Sequence, residues 1–217
     1  MMRTLILLAL FSILLTSCSK DRLTASGDKI TEERFPGDFN GISTSGSTTV
    51  QITYGVEFKV VLKGSNNLIP YFKTNVIGNT LYLGYEKASV QHDDVTVFVT
   101  LPSIRKLSLS GSGKINLQGN FPAAADFKVS ISGSGDASIQ DAFDADEILV
   151  NLSGSGKADL QQINAKNAEV SISGSGDARV KVQEKLKARI SGSGKVYYTG
   201  NAVVDAEISG SGKVLKF

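Results

Sequence analysis

Between Leu107 and Val214 the chain repeats one phrase six times: two apolar residues spaced by two, Ser-Gly-Ser-Gly, one charged residue, then an apolar residue. The Ser-Gly-Ser-Gly copies begin at Ser110, Ser132, Ser153, Ser173, Ser191 and Ser209, at intervals of 22, 21, 20, 18 and 18 residues. The leading pairs are Leu107/Leu109, Val129/Ile131, Val150/Leu152, Val170/Ile172, Ala188/Ile190 and Ala206/Ile208. The trailing apolar residues are Ile115, Ala137, Ala158, Ala178, Val196 and Val214. Alternation with period two predicts strands, and self-similarity near 20 residues predicts a solenoid. Each copy is therefore expected to form the corner of one coil, with a short strand on each side and a variable return segment. Stacked coils would form parallel ladders.

Parity assigns faces. In the second copy Val129, Ile131, Gly133, Gly135, Ala137 and Ile139 share one face, so the glycines are expected to point inward. The paired serines of the central copies, Ser132 and Ser134, Ser153 and Ser155, Ser173 and Ser175, would then point outward. Twelve of the 22 glycines lie in the six copies. A strand-interior glycine costs about 0.5–1 kcal/mol relative to alanine, so twelve imply a geometry that requires them. The residue after each copy is Lys114, Asp136, Lys157, Asp177, Lys195 and Lys213, which alternates in sign over the first five. Stacked about 4.8 Å apart, this column would favour one rung register over a slipped one.

The first hundred residues read as one coil with an insertion. Phe39 to Thr53 is a degenerate copy with Ser45-Gly46-Ser47 at its corner. Phe58 to Leu62, Thr80 to Tyr85 and Val95 to Leu101 alternate as strands, Ser65 to Lys73 suits one helical turn, and Ile77 to Thr80 is a turn. This part is expected to cap one end of the stack. The other end, at the last copy, is expected to leave an open strand edge, guarded by Lys213 and Lys216 or covered by a second copy of the chain.

The N-terminus changes the picture. Thr4 to Leu15 is an apolar run too short to span a bilayer as a helix and suited to a signal-peptide core. It ends in Leu15-Thr16-Ser17-Cys18, a lipobox-like sequence, so Cys18 is the expected lipidation site. The chain has no other cysteine, which excludes a disulfide framework. The reading is a signal peptide over 1–17, a lipidated Cys18 with a flexible tether over 18–33, and a β-helical domain over 34–217, with its six coils from 110 to 213. Residues are 41% apolar, enough for a core, and the net charge of +2 excludes a strongly basic nucleic-acid binder.

Candidate chemistry is sparse. Gly-Ser-Gly-Lys suggests a phosphate loop, but the required earlier glycine is Ser108, Asn151, Arg189 or Glu207, and no Ser or Thr follows the lysine. The single histidine lies in His92-Asp93-Asp94, read as a solvated turn. Asp141, Asp144, Asp146 and Glu147 share one return segment and are read as an exposed face. No catalytic, cofactor or metal residues are assigned.

The sequence resembles a known family at this point. The lipobox, the GIST coil near Gly41, SNNLIPYFKTNVIGNTLYL, VFVTLPSIRKLSLSGSG and the closing ISGSGKVYYTGNAVVDAEISGSGKV are similar to the head GIN domains of autotransporter-adhesin type, common in Bacteroidetes. The resemblance implies an all-β fold, a single-stranded right-handed parallel β-helix. Coils of 18 residues would also suit a left-handed triangular helix, but the hexapeptide pattern is absent and the coils lengthen to 22. The expected function is a non-enzymatic, lipid-anchored outer-membrane protein of the cell envelope that presents a binding or adhesion surface to a glycan or an envelope protein. The alternative is a scaffold or sensory component with a protein partner in the same membrane, and a glycan-active enzyme ranks last. The outward serines are either part of that surface or polar fill at a tight corner.

Overall fold

The computed structural model describes residues 21–86 and 88–217. The expected signal peptide and Cys18 lie outside the described residues. Two strands open the described chain, β1 (Asp21–Thr24) and β2 (Lys29–Arg34). The first coil has arms β3 (Gly41–Gly46) and β4 (Thr49–Tyr54). The insertion carries β5 (Lys59–Ser65), β6 (Phe72–Ile77), β7 (Thr80–Tyr85), β8 (Ala88–Gln91) and β9 (Thr96–Leu101). The next coils follow as β10 (Lys106–Gly111), β11 (Lys114–Gln118), β12 (Ala124–Gly133) and β13 (Asp136–Ile139). In β14 (Phe143–Gly154), β15 (Lys157–Gly174) and β16 (Asp177–Gly192) the return segment joins the arms into long strands. The stack closes with β17 (Lys195–Thr199), β18 (Val203–Gly210) and β19 (Lys213–Lys216).

The repeats stack in register as a parallel β-solenoid. Ser45, Ser110, Ser132, Ser153, Ser173, Ser191 and Ser209 form one ladder through successive parallel pairings. The inward column Ile42, Leu107, Val129, Val150, Val170 and Ala188 is fully buried. Burying a Val, Leu or Ile side chain is worth about 1.5–3 kcal/mol, so period-two alternation repeated on every rung supplies the core. The shortening of the coil from 20 to 18 residues is absorbed in the return segment, where the β15–β16 register shifts between Leu160 and Asn164 and between Ala165 and Asn167. The corners keep their register.

The corner glycines divide into two kinds, which corrects the inward reading for half of them. The second glycine is buried in the first five copies, at Gly113, Gly135, Gly156, Gly176 and Gly194, where an added Cβ would also crowd the backbone of the rung below. An added Cβ at buried Gly135 would meet the Leu109 side chain and lie 2.7 Å from the Gly113 carbonyl oxygen. The first glycine points along the stack. Gly133, Gly154, Gly174, Gly192 and Gly210 have φ between +115° and +125°, and a Cβ on each would fall against the carbonyl oxygen of the first glycine one rung below. Alternation predicts the face but not a left-handed φ, so the two kinds looked alike in sequence.

The charged column stacks as expected: Lys114 opposite Asp136, then Lys157, Asp177, Lys195 and Lys213. Its members do not close ion pairs within 4 Å among the described residues. The rung-to-rung pairs lie in other columns, Arg179 with Asp159 (3.5 Å), Lys166 with Asp146 (2.5 Å), and Arg189 between Glu169 and Glu207.

The insertion caps the N-terminal end. β7 and β9 continue the parallel ladders below β3 and β4, while β6 pairs antiparallel with β7, and β5 pairs antiparallel with β9 and β2. A 3-10 turn at Ile69–Tyr71 occupies the segment expected to hold one. The segment read as a tether is partly folded: β2 covers β5 and β1 pairs with β8. Its strand positions are mostly exposed, so it lacks the apolar alternation that marks a strand. Arg34 locks β2 down through its guanidinium, which donates to the carbonyl oxygens of Phe72 (2.6 Å) and Ile69 (3.1 Å).

His92-Asp93-Asp94 is a turn, with exposed His92 at φ +53°, but its acids are not merely solvated. Asp93 accepts from the Tyr85 hydroxyl (2.7 Å) and the Thr48 hydroxyl (2.8 Å), and so ties the cap to the first corner. Burial, and then the Asp93 carboxylate, push the Tyr85 phenol well above its ordinary range. Asp94 accepts from the Ser65 hydroxyl (2.6 Å), the Ser65 amide (2.9 Å) and Lys29. Burial alone would raise the Asp94 carboxyl, but these hydrogen bonds outweigh it and hold it below its ordinary range.

Candidate binding groove

Two outward columns run along the arm that precedes each corner. One is Ser43, Ser108, Ser130, Asn151, Ser171, Arg189 and Glu207. The other is the serine ladder from Ser45 to Ser209. Two columns of small side chains leave a trough, and a column of longer ones two positions upstream borders it: Lys106, Lys128, Leu149, Glu169, Lys187 and Asp205. The result is an open groove of about 750 Å³.

Three of the six serines singled out by parity, Ser132, Ser153 and Ser173, line this groove. Ser134, Ser155 and Ser175 are exposed on the far side of the corner and do not line it. The second lining column, Ser108, Ser130, Asn151 and Ser171, was missed because it lies outside the Ser-Gly-Ser-Gly copies. Its signal was present in the same alternation: the outward position two residues before each corner serine is small and polar until Arg189.

The groove combines two polar columns with an apolar lining, to which Leu109, Ile131, Leu152, Ile172 and Ile190 contribute. Rungs repeat at about 4.8 Å, and the two columns lie two residues apart along the strands, roughly 6.6 Å. Among the described residues, no hydrogen bond engages the hydroxyls of Ser108, Ser110, Ser130, Ser132, Ser153 or Ser173. On the following arm, by contrast, Ser138 donates to Asn116 (2.9 Å). Each free hydroxyl is both donor and acceptor. Among the lining residues only Arg189 and Glu207 are charged, both at the C-terminal end, and Arg189 is braced by Glu169 and Glu207.

The acids of the return segment act as rung clasps. Asp141 accepts from the Gly119 amide (2.6 Å), Asp144 from Asn164 (3.2 Å), and Asp146 pairs with Lys166, whose ammonium is raised by that contact.

The family model described as "Putative auto-transporter adhesin, head GIN domain" matches residues 38–202. The chain belongs to this family. The matched span begins in the first coil of the head GIN domain and ends beside β18. Solved structures share the fold. One, titled a "putative adhesin" from Bacteroides fragilis, is 20% identical with a TM-score of 0.72, over 90% of this chain and 100% of that one. Another of the same description, from Parabacteroides merdae, is 19% identical with a TM-score of 0.65, over 91% and 99%. A third, from Parabacteroides distasonis, is titled a "putative lipid binding protein" and is 19% identical with a TM-score of 0.62, over 91% and 100%. No curated protein matches the chain.

Proposed function

We propose that this head GIN domain is the binding head of a non-enzymatic, lipid-anchored envelope protein, and that the serine groove is its contact surface. The observation that carries the reading is the pair of unengaged hydroxyl columns held on a rigid stack. Rigidity matters because ordering a loose surface on binding costs about 0.5–1.5 kcal/mol per side chain, whereas here the rungs are ordered in advance. Hydroxyls at even spacing suit an extended polar polymer such as a glycan strand. The family's adhesin description and the similar structures titled adhesins support an adhesion role, and the lipobox-like Leu15 to Cys18 supports anchoring in the outer membrane. In the alternative, scaffold reading, the same groove holds an envelope protein.

The test compares two paired variants on cells. Ser153→Lys/Ser173→Glu fills the groove with a pair that faces across neighbouring rungs, so the stack tolerates it. Ser155→Lys/Ser175→Glu places the same charges across the corner. Loss of binding to glycans or cells in the first pair only is the expected result. Equal binding by both pairs would remove the groove from the account. Labelling with a radioactive fatty acid, lost in Cys18→Ser, tests the anchor.

A further inference from the structure

The groove has a head at the cap end. Tyr82 stands opposite Ser43 in the β3–β7 ladder, and so takes the next place in the column of Ser43, Ser108, Ser130, Asn151 and Ser171. Those five are small, whereas Tyr82 carries a ring and is 43% exposed. Beside it, Gly84 brings no side chain to the place next to Ser45, where a Cβ would lie 2.5 Å from the Ser45 hydroxyl oxygen. The ring and the missing side chain border a second hollow of about 290 Å³, which Lys73, Asn75 and Glu86 also line. Ser43 lines both this hollow and the groove, so the two adjoin. Two other outward rings on the sheets are already covered: Phe98 lies under the Lys63 ammonium (4.9 Å) and Tyr197 under the Arg179 guanidinium (5.7 Å). Among the described residues, no cation or second ring lies over Tyr82, and no hydrogen bond engages its hydroxyl.

We propose that this hollow is a subsite for one neutral pyranose ring, with Tyr82 as its stacking platform. The proposal rests on the glycan reading of the groove and supplies the point at which one sugar of the strand is held. A pyranose has a C–H face and a rim of hydroxyls. The C–H face suits the electron-rich face of an uncovered aromatic ring, and the hydroxyls need donors and acceptors when they leave water. The Lys73 ammonium donates, the Glu86 carboxylate accepts, and the Asn75 amide and Ser43 hydroxyl do both. The charges of Lys73 and Glu86 offset one another, so the hollow favours an uncharged ligand over a phosphate or a carboxylate. Asn75 faces Tyr82 across the β6–β7 ladder and Lys73 faces Gly84, so antiparallel pairing holds these polar residues beside the ring. The serine columns alone offer the same hydroxyls on every rung, and a strand could slide along them. A single aromatic at one end fixes its register.

The test uses the full chain, purified in a detergent without a sugar headgroup, with methyl glucoside, methyl galactoside and methyl mannoside as probes. Binding is read by saturation-transfer NMR with irradiation of the aromatic protons. At least one probe should bind the parent, with transfer strongest to its ring C–H protons. Tyr82→Ala should weaken that binding roughly tenfold or more, since it removes both the buried area and the stacking, while Tyr82→Phe keeps the ring and should retain it. Inorganic phosphate should not compete. The groove pair Ser153→Lys/Ser173→Glu lies three rungs from Ser45 and should bind the probe as the parent does. Its adhesion to cells decides the groove and not the hollow, so the two readings can fail separately. No binding of any probe to the parent, equal binding by Tyr82→Ala, loss in Tyr82→Phe, competition by phosphate, or loss in the groove pair would each overturn the proposal.

Discussion

Replacing Gly154 by alanine tests the corner directly. Its φ is +116°, where an L-residue is strained by roughly 1–2 kcal/mol. The added Cβ would also fall against the Gly133 carbonyl oxygen on the rung below, which is backbone and cannot rotate away. That oxygen accepts from the amides of Ser155 (2.9 Å) and Gly156 (3.0 Å). Lifting the rung to clear the methyl sacrifices both bonds, at about 1 kcal/mol each. The expected loss is therefore on the order of 3–4 kcal/mol. Gly46 is the internal control. It occupies the same position of the first, degenerate copy, at φ +89°, with no atom within 4 Å of an added Cβ. Gly46→Ala should cost only the backbone strain, roughly 1–2 kcal/mol. Urea unfolding followed by circular dichroism measures both. Equal destabilisation by the two variants would show that the glycines serve local φ alone, and would refute the argument that they set rung spacing.

Three further outcomes follow from single contacts. Thr44 stands in the inward column between Leu83 and Leu109 with a buried hydroxyl that has no partner, so Thr44→Val should stabilise the chain by about 1–2 kcal/mol in the same denaturation assay. The Asp94 carboxyl is held below its ordinary range, so the folded state binds its proton less readily than the unfolded chain; its contribution is present above about pH 4 and is lost as the pH falls through the lower, folded value. The melting temperature of Asp94→Asn should therefore lie below that of the parent at pH 7, with the gap closing in acid. Tyr85 is raised, so stability should decline as the pH rises above about 10, and Tyr85→Phe should flatten that alkaline limb.

The repeats made most of the solenoid legible. Each rung buries one apolar series of period two, and the corner tetrapeptide fixes its phase, so the coils, their register and the degenerate first copy could be read residue by residue. What was hidden lacks that alternation. β2 is largely exposed and holds its place through Arg34 and backbone pairing with β5. Asp93 and Asp94 look like any polar turn until Thr48, Tyr85 and Ser65, all distant in sequence, are brought to them. The first corner glycine shares parity with the second, yet its φ turns it along the stack. Half of the groove was visible as corner serines, while its second column depended on noticing what the outward positions before the corner lacked, namely bulk.

The central claim is that ligand lies along the arm before the corner. A cysteine placed at Ser153 or at Ser155, with Cys18 as the only other cysteine in the sequence, reports on it directly. Thiol labelling of each variant would be timed on cells before and after they adhere to their target. Adhesion should slow labelling at Ser153→Cys and leave Ser155→Cys unchanged. Slowing at Ser155→Cys alone, or at neither site while adhesion persists, would contradict the central claim.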